Sequence, residues 1–156
     1  MEVSLVIAST PSHFADGRKL FEEYAASLNF NLCFQGFKEE LNQLDQQYIA
    51  PTGALIIAYA DNNAIAVVGI RKFDPERAEL KRMYTQPEYR GQKIGGKLLE
   101  TALIVAAELG YTKILLDTLP SMTNAINLYR TFGFEMASPY RHNPFPDAIF
   151  LEKSLI

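Results

Sequence analysis

A single cysteine, Cys33, stands in the 156 residues. One thiol rules out an internal disulfide framework and fits a reducing compartment. No sequence neighbour would activate it, so it reads as a small buried hydrophobe rather than a nucleophile. No apolar run approaches the roughly 20 residues that a membrane helix needs. The N-terminal Val3-Ser4-Leu5-Val6-Ile7-Ala8 has no basic leader and is too short for a signal peptide, so a first strand is expected there. The two histidines, His13 and His142, are far apart and have no ligand-spaced partner, so no metal is expected. A basic surplus is missing as well: the formal charge is −3, against the basic footprint of a nucleic-acid binder. There are no repeats, low-complexity tracts or linkers, and the length suits one domain over 1–156. The expected location is cytoplasmic.

What the chain does have is concentrated in 79–109. A short strand over 80–84 is followed by Pro87, which offers no backbone donor and ends regular pairing. The loop Arg90-Gly91-Gln92-Lys93-Ile94-Gly95-Gly96 leads into a helix. Its apolar residues Ile94, Leu98, Leu99, Ala102, Leu103, Ala106 and Leu109 recur at helical spacing, and Gly110 stops it. Such a strand–loop–helix junction suits phosphate: the first helical N–H groups have no intrahelical partner and sit at the positive end of the macrodipole. Arg90, Lys93 and Lys97 add full positive charges. Taken alone, the glycines read more simply as a tight turn before an ordinary core helix. The loop also fails the G-x-x-x-x-G-K-[ST] template and the dinucleotide fingerprint.

Tyr89-Arg90-Gly91-Gln92-Lys93-Ile94-Gly95 resembles the acyl-CoA pyrophosphate loop of the GNAT superfamily of N-acetyltransferases, R/Q-x-x-G-x-G/A. Arg90 matches its first position and Gly95 its last, while Lys93 replaces the usual middle glycine. That replacement is harmless if the residue's own N–H faces phosphate and costly if a positive φ is required. A second similarity lies in Asn124-Ala125-Ile126-Asn127-Leu128-Tyr129-Arg130-Thr131-Phe132-Gly133-Phe134. Its Asn124, Tyr129, Gly133 and Phe134 match a GNAT segment whose asparagine orders the cofactor and whose tyrosine lies near its sulfur. Read alone, Tyr129 is a core aromatic with a wet hydroxyl. The strand before the loop is the third match.

The resemblance implies an α+β fold. A central, mostly antiparallel, twisted sheet of six to seven strands carries helices on both faces, with one parallel pair splayed at the cofactor site. It implies acetyl-CoA, or another short acyl-CoA, bound by Met83, Tyr84, Thr85, Arg90, Gly91, Gln92, Lys93, Ile94, Gly95, Gly96, Lys97 and Asn124. It implies Tyr129 as the proton donor to the departing thiolate and Glu79 as the base that takes the amine's proton. Glu79 is equally compatible with a strand-end salt bridge to Arg71, Lys81 or Arg82. In this family, backbone N–H groups at the position of Met83 and Tyr84 stabilise the oxyanion, and Met83 and Thr85 pair with the pantetheine arm.

The other elements follow from turn signals. Thr10-Pro11-Ser12-His13-Phe14 reads as a turn, with a helix capped by Asp16 and running to about residue 27. A second helix is expected over 38–47. Strands are expected over 54–60 and 64–70, joined at Asp61-Asn62-Asn63, and over 113–116 and 148–155. Ser121 with Asn124 resembles a weak capping box. Phe34, Gln35 and Phe37, from an unusually aromatic connector, and Tyr140 and Asn143, from a proline-punctuated late loop, are the acceptor-pocket candidates. The acceptor is a primary amine on a small molecule, amino acid or peptide, and a homodimer is compatible with the reading. The alternative is a non-catalytic acyl-CoA-binding or interaction module. A mononucleotide-binding protein is the third reading, and it predicts ATP or NAD affinity.

Overall fold

A computed structural model describes residues 2–28 and 36–156. Seven strands form one sheet: β1 (Val3–Ile7), β2 (Ala54–Ala60), β3 (Asn63–Lys72), β4 (Arg77–Thr85), β5 (Lys113–Thr118), β6 (Glu135–Met136) and β7 (Ile149–Ser154). Their order across the sheet is β1-β2-β3-β4-β5-β7-β6, and only β4 and β5 pair in parallel. Among the described residues five α-helices accompany them: α1 (Pro11–Ser27), α2 (Phe37–Asn42), α3 (Leu44–Gln47), α4 (Ile94–Glu108) and α5 (Thr123–Thr131). The expected mixed fold with its single parallel pair is observed.

The strand β2, Ala-Leu-Ile-Ile-Ala-Tyr-Ala, is apolar along nearly its whole length because both faces of the sheet are covered. Ile56 and Ala58 meet Leu98, Leu99 and Ala102 of α4 on one face. Leu55 and Ile57 meet Leu20 and Phe21 of α1, with Leu44 and Tyr48, on the other. Between β2 and β3, Asp61 and Asn62 take φ of 50° and 69°. A two-residue turn that matches strand twist needs left-handed φ at both central positions, which Asp and Asn tolerate.

Several boundaries differ from expectation. The first helix begins at Pro11, and Thr10 caps it by accepting the His13 amide. Proline suits the first helical position, where its missing donor costs nothing. Asp16 is mid-helix and accepts a hydrogen bond from Tyr59 at 2.6 Å. The second helix is two, broken at Gln43, whose φ of −125° leaves the helical region. Ser121 does not cap α5: Met122 holds that position without a side-chain bond. The edge strand β6 was not anticipated, since two residues carry no period.

Two irregularities position the site. The β4–β5 ladder runs only from Arg77↔Lys113 to Glu79↔Leu115, after which β5 continues its pairing with β7 alone. On its other side β4 bulges against β3 between Val67 and Gly69, with Arg82 at φ 59°. An extra residue on one strand bends it and re-aims its side chains and amides. From Leu80 onward, the β5-facing edge of β4 is left unpaired.

Candidate active site

The gap between β4 and β5 opens beside the N-terminus of α4. Together they form a cleft of about 960 Å³, within the range of small-molecule sites. Its walls are Met83, Tyr84 and Thr85 of β4; Tyr89, Arg90, Gly91 and Lys93 of the loop; Ile94, Gly95 and Gly96 of α4; and Asn124 of α5. The expected cofactor residues therefore converge, apart from Gln92 and Lys97, which do not line the cleft. Tyr24, Ser27 and Leu28 of α1, and Leu119, Ser121, Met122, Thr123, Ala125 and Leu128 around α5, complete it. The sequence reading missed these. Of this set only Leu128 carried a signal, one helical turn beyond Asn124.

The loop is built to present amides. Gly91 has φ 82° and Lys93 φ 64°. The first bond of α4 runs from the Lys97 amide to the Lys93 carbonyl, so the amides of Ile94, Gly95 and Gly96 have no intrahelical acceptor. A Cβ on Gly95 would meet only Leu128 at 3.5 Å, and one on Gly96 only Leu128 at 3.9 Å. Both are ordinary contact distances. Packing therefore does not require either glycine, though each costs helix stability relative to alanine. The remaining reason for them is close approach from the cleft. Lys93 occupies the left-handed position that a glycine takes without strain, at a cost of about 1–2 kcal/mol. The Arg90 Nε donates to the Thr85 carbonyl at 3.0 Å, and its guanidinium lies 5.8 Å from the Tyr84 ring centroid. That cation is held against the cleft wall.

Tyr129 is buried, with its ring 5.5 Å from that of Phe134, and belongs to the core beneath α4. Its hydroxyl makes no hydrogen bond among the described residues. Burial, and then the Tyr24 hydroxyl nearby, push its pKa above the usual 10. The Tyr24 hydroxyl is raised too, first by burial, with Arg82 opposing and Asp117 and Glu40 adding. Tyr24 thus stands between the cleft and a buried charged cluster.

That cluster lies where β4 and β5 part. Glu79 is fully buried and, like Tyr129, outside the cleft lining. Its Oε1 accepts from Arg141 and, at 3.4 Å, from Arg71; its Oε2 accepts from the Tyr140 hydroxyl at 2.9 Å. Lys81 Nζ lies 3.8 Å from Oε2. Of the anticipated ion pairs, Arg71 and Lys81 form, whereas Arg82 turns to Glu40 at 2.9 Å. Tyr48 donates to the same Glu40 at 2.6 Å, its ring seated over Gly69, where a Cβ would fall 2.5 Å from Cε1. Burial raises the Glu40 pKa, but the Arg82 charge and the hydrogen bonds from Arg82 and Tyr48 outweigh it and leave the group below its usual range. Burial, aided by Arg82, Arg71 and Arg141 and opposed by Glu79, lowers Lys81 to about 8.

Three of the acceptor-pocket candidates, Tyr140, Asn143 and Phe37, fall around this cluster. Tyr140 binds Glu79 and stands edge-on to Phe73 and Phe150. Asn143 donates to Asp117 on β5 at 3.2 Å. Phe37 lies under the Arg82 guanidinium at 5.2 Å. Phe34 and Gln35 lie outside the described residues. Among the described residues, no group of His, Cys, Asp and Glu is arranged to hold a metal, and no helix is long and apolar enough to cross a membrane.

Comparison with known proteins agrees with the fold. Residues 18–134 match the acetyltransferase (GNAT) family. An uncharacterized N-acetyltransferase of Schizosaccharomyces pombe is 32% identical over 151 residues, covering 96% of this chain and 93% of that one. A GNAT-family acetyltransferase from Staphylococcus aureus superimposes with a TM-score of 0.80 at 20% identity, over 99% of this chain and 100% of the other. One from Elizabethkingia anophelis, solved with acetyl-CoA bound, has a TM-score of 0.68 at 19% identity over 97% of each chain.

Proposed function

The chain belongs to the GNAT family of acyl-CoA-dependent acetyltransferases, and from that premise we propose that it moves the acetyl group of acetyl-CoA to a primary amine by direct attack in a ternary complex. One observation carries the reading: the parting of β4 from β5 and the glycine-bearing N-terminus of α4 open into a single cleft. Bound there, acetyl-CoA supplies an activated thioester carbonyl.

The amides of Ile94, Gly95 and Gly96, with Lys93 and Arg90, hold the pyrophosphate. Helix N-terminal N–H groups and full cations act on the same anion. The unpaired edge of β4 at Met83 and Thr85 takes the pantetheine arm as an added strand. The amides at Met83 and Tyr84 stabilise charge developing on the carbonyl oxygen, fixed in place beforehand by the bulge at Arg82. Asn124 orients the cofactor from α5.

Tyr129 donates a hydrogen bond to the leaving sulfur. Its pKa lies above that of a thiol, near 8.5, so complete proton transfer from Tyr129 is uphill and the donor stabilises rather than surrenders its proton. The acceptor must lose a proton as well: a lysine-like ammonium costs about 4.6 kcal/mol to neutralise at pH 7. Both oxygens of Glu79 are already engaged. Glu79 is therefore assigned to positioning the acceptor side, and the amine's proton to water in the gap.

The test is a thermal-shift screen with acetyl-CoA, ATP and NAD, followed by acetyl-CoA turnover over an amine panel. Acetyl-CoA alone raises Tm, and at least one amine is acetylated. Tyr129→Phe removes one preorganised donor and lowers kcat about 100-fold while keeping the acetyl-CoA shift. Binding without turnover of any amine leaves the non-catalytic module; a shift with ATP or NAD alone overturns the reading.

A further inference from the structure

The charged cluster beside the gap holds more positive charge than its own carboxylates neutralise. Arg71, Lys81, Arg82 and Arg141 face Glu40 and Glu79. Counting Asp117, which Asn143 engages, the cations exceed the carboxylates by one. One donor is also left over, and one cation is only loosely paired. The Lys81 side chain is 2% exposed, yet its nearest carboxylate oxygen is 3.8 Å away, beyond hydrogen-bond reach. It makes no hydrogen bond among the described residues. The Arg141 Nε is buried without an acceptor. A buried donor without a partner costs about 1–3 kcal/mol, more when charged, so the Arg141 Nε beside a loosely paired ammonium asks for a missing acceptor.

We propose that this acceptor is the carboxylate of the substrate: the amine acetylated here belongs to a zwitterion of amino-acid type, whose carboxylate is bound by Arg141 and Lys81. The inference rests on the acetyl-transfer reading and deepens it. A monoanion matches a surplus of one charge, and a guanidinium fork with an ammonium beside it is a carboxylate receptor. Position agrees as well. Lys81 and Met83 flank the bulge at Arg82, so a small zwitterion anchored at Lys81 sits beside the stretch of β4, Met83 and Tyr84, that holds the carbonyl. Glu79 fixes Arg141, Lys81 and Tyr140 in that arrangement.

The experiment compares the twenty amino acids with their α-amides, which keep the amine and lose the carboxylate, by thiol release from acetyl-CoA. In parallel, the N-acetyl amino acids and N-acetyl amides are titrated calorimetrically into the CoA-loaded protein. At least one acid is acetylated with kcat/KM about tenfold or more above its amide. Arg141→Gln and Lys81→Met shrink that ratio toward one by raising KM for the acid, with little change for the amide. Arg71→Gln, whose two nitrogens are engaged by Gln47 and Glu79, affects acid and amide alike. Amides used as well as acids, or a ratio that neither variant moves, overturns the proposal. If no amine turns over but an N-acetyl amino acid binds and Arg141→Gln weakens it, the carboxylate site stands and acetyl transfer fails. If other amines turn over and no acid is favoured or bound, acetyl transfer stands and the carboxylate site fails.

Discussion

Lys81→Met should make the protein more stable at neutral pH, by an amount that disappears in alkali. The folded protein holds Lys81 at about 8 against an ordinary 10.5, chiefly because burial removes water from the ammonium. Between these values the unfolded chain binds the proton that the folded chain releases, so Lys81's contribution to stability rises with pH across that window. Below pH 8 both states are protonated and the penalty for burying the charge is fully present; above 10.5 it is gone. At 1.36 kcal/mol per pKa unit, the difference of 2.5 between the two values gives a penalty of about 3 kcal/mol at pH 7. Methionine fills a similar volume without charge, and Glu79 keeps Arg71, Arg141 and Tyr140. Urea denaturation of both proteins at pH 7, 8, 9 and 10 reads the difference, since titrating groups not coupled to Lys81 cancel. The variant should gain about 3 kcal/mol at pH 7, near 6–12 °C in Tm for a chain of this size, and the gain should fall by about 1.4 kcal/mol per pH unit above 8. A loss of stability at pH 7, or a gain unchanged between pH 7 and 10, would refute the reasoning.

At Lys93, with φ 64°, a β-branched side chain is far worse accommodated than lysine. Lys93→Val should cost about 1–2 kcal/mol in denaturant unfolding, whereas Lys93→Gly should not destabilise and should only weaken acetyl-CoA binding through the lost charge. The double variant Gly95→Ala/Gly96→Ala should raise the ligand-free stability by about 1–2 kcal/mol, because Leu128 leaves room for both methyl groups. Its thermal shift with acetyl-CoA should shrink; an unchanged shift would mean that nothing approaches these residues from the cleft. Glu79→Gln removes the counter-charge of Arg71, Lys81 and Arg141 and should cost about 3–5 kcal/mol. Adding Lys81→Met should recover part of that loss, and calorimetric unfolding of the single and double variants measures both.

The parts legible in the sequence were those set by local rules. Pattern and turn chemistry placed β2, β3 and α4, since apolar period and the Asp61-Asn62 turn act within a few residues. The glycine-bearing junction at the N-terminus of α4 was legible for the same reason, because unpaired helical amides and glycines are contiguous in the chain. The acceptor side was not. Glu79, Arg141 and Glu40 come from β4, the late loop and α2, and the ion pairs Arg141–Glu79 and Arg82–Glu40 join residues that no spacing relates. The sequence reading offered Arg82 as a partner of Glu79. The bulge that turns Arg82 toward Glu40 rests on a left-handed φ at an arginine, which residue type does not announce. The first helix was misplaced through the opposite error: Thr10-Pro11 is a turn signal and a helix start at once, and only His13 donating its amide to Thr10 separates the two.

The two halves of the site meet different physical demands, and that explains why both carry local costs. On the cofactor side the cost is conformational: left-handed Lys93 and two helical glycines that the packing does not need. On the acceptor side it is electrostatic: a buried ammonium and an unpartnered guanidinium nitrogen. In a sheet otherwise packed with Ile, Leu, Val and Ala these are the positions where stability was given up, and they lie on opposite sides of the one edge, β4 from Leu80 to Thr85, that neither neighbouring strand fully pairs. A protein with only a structural use for that edge would pair it with β5 through Thr118 and place apolar residues at Lys81 and Arg141. On the proposed reading, the gap stays open and its charges stay buried because two molecules have to meet across it.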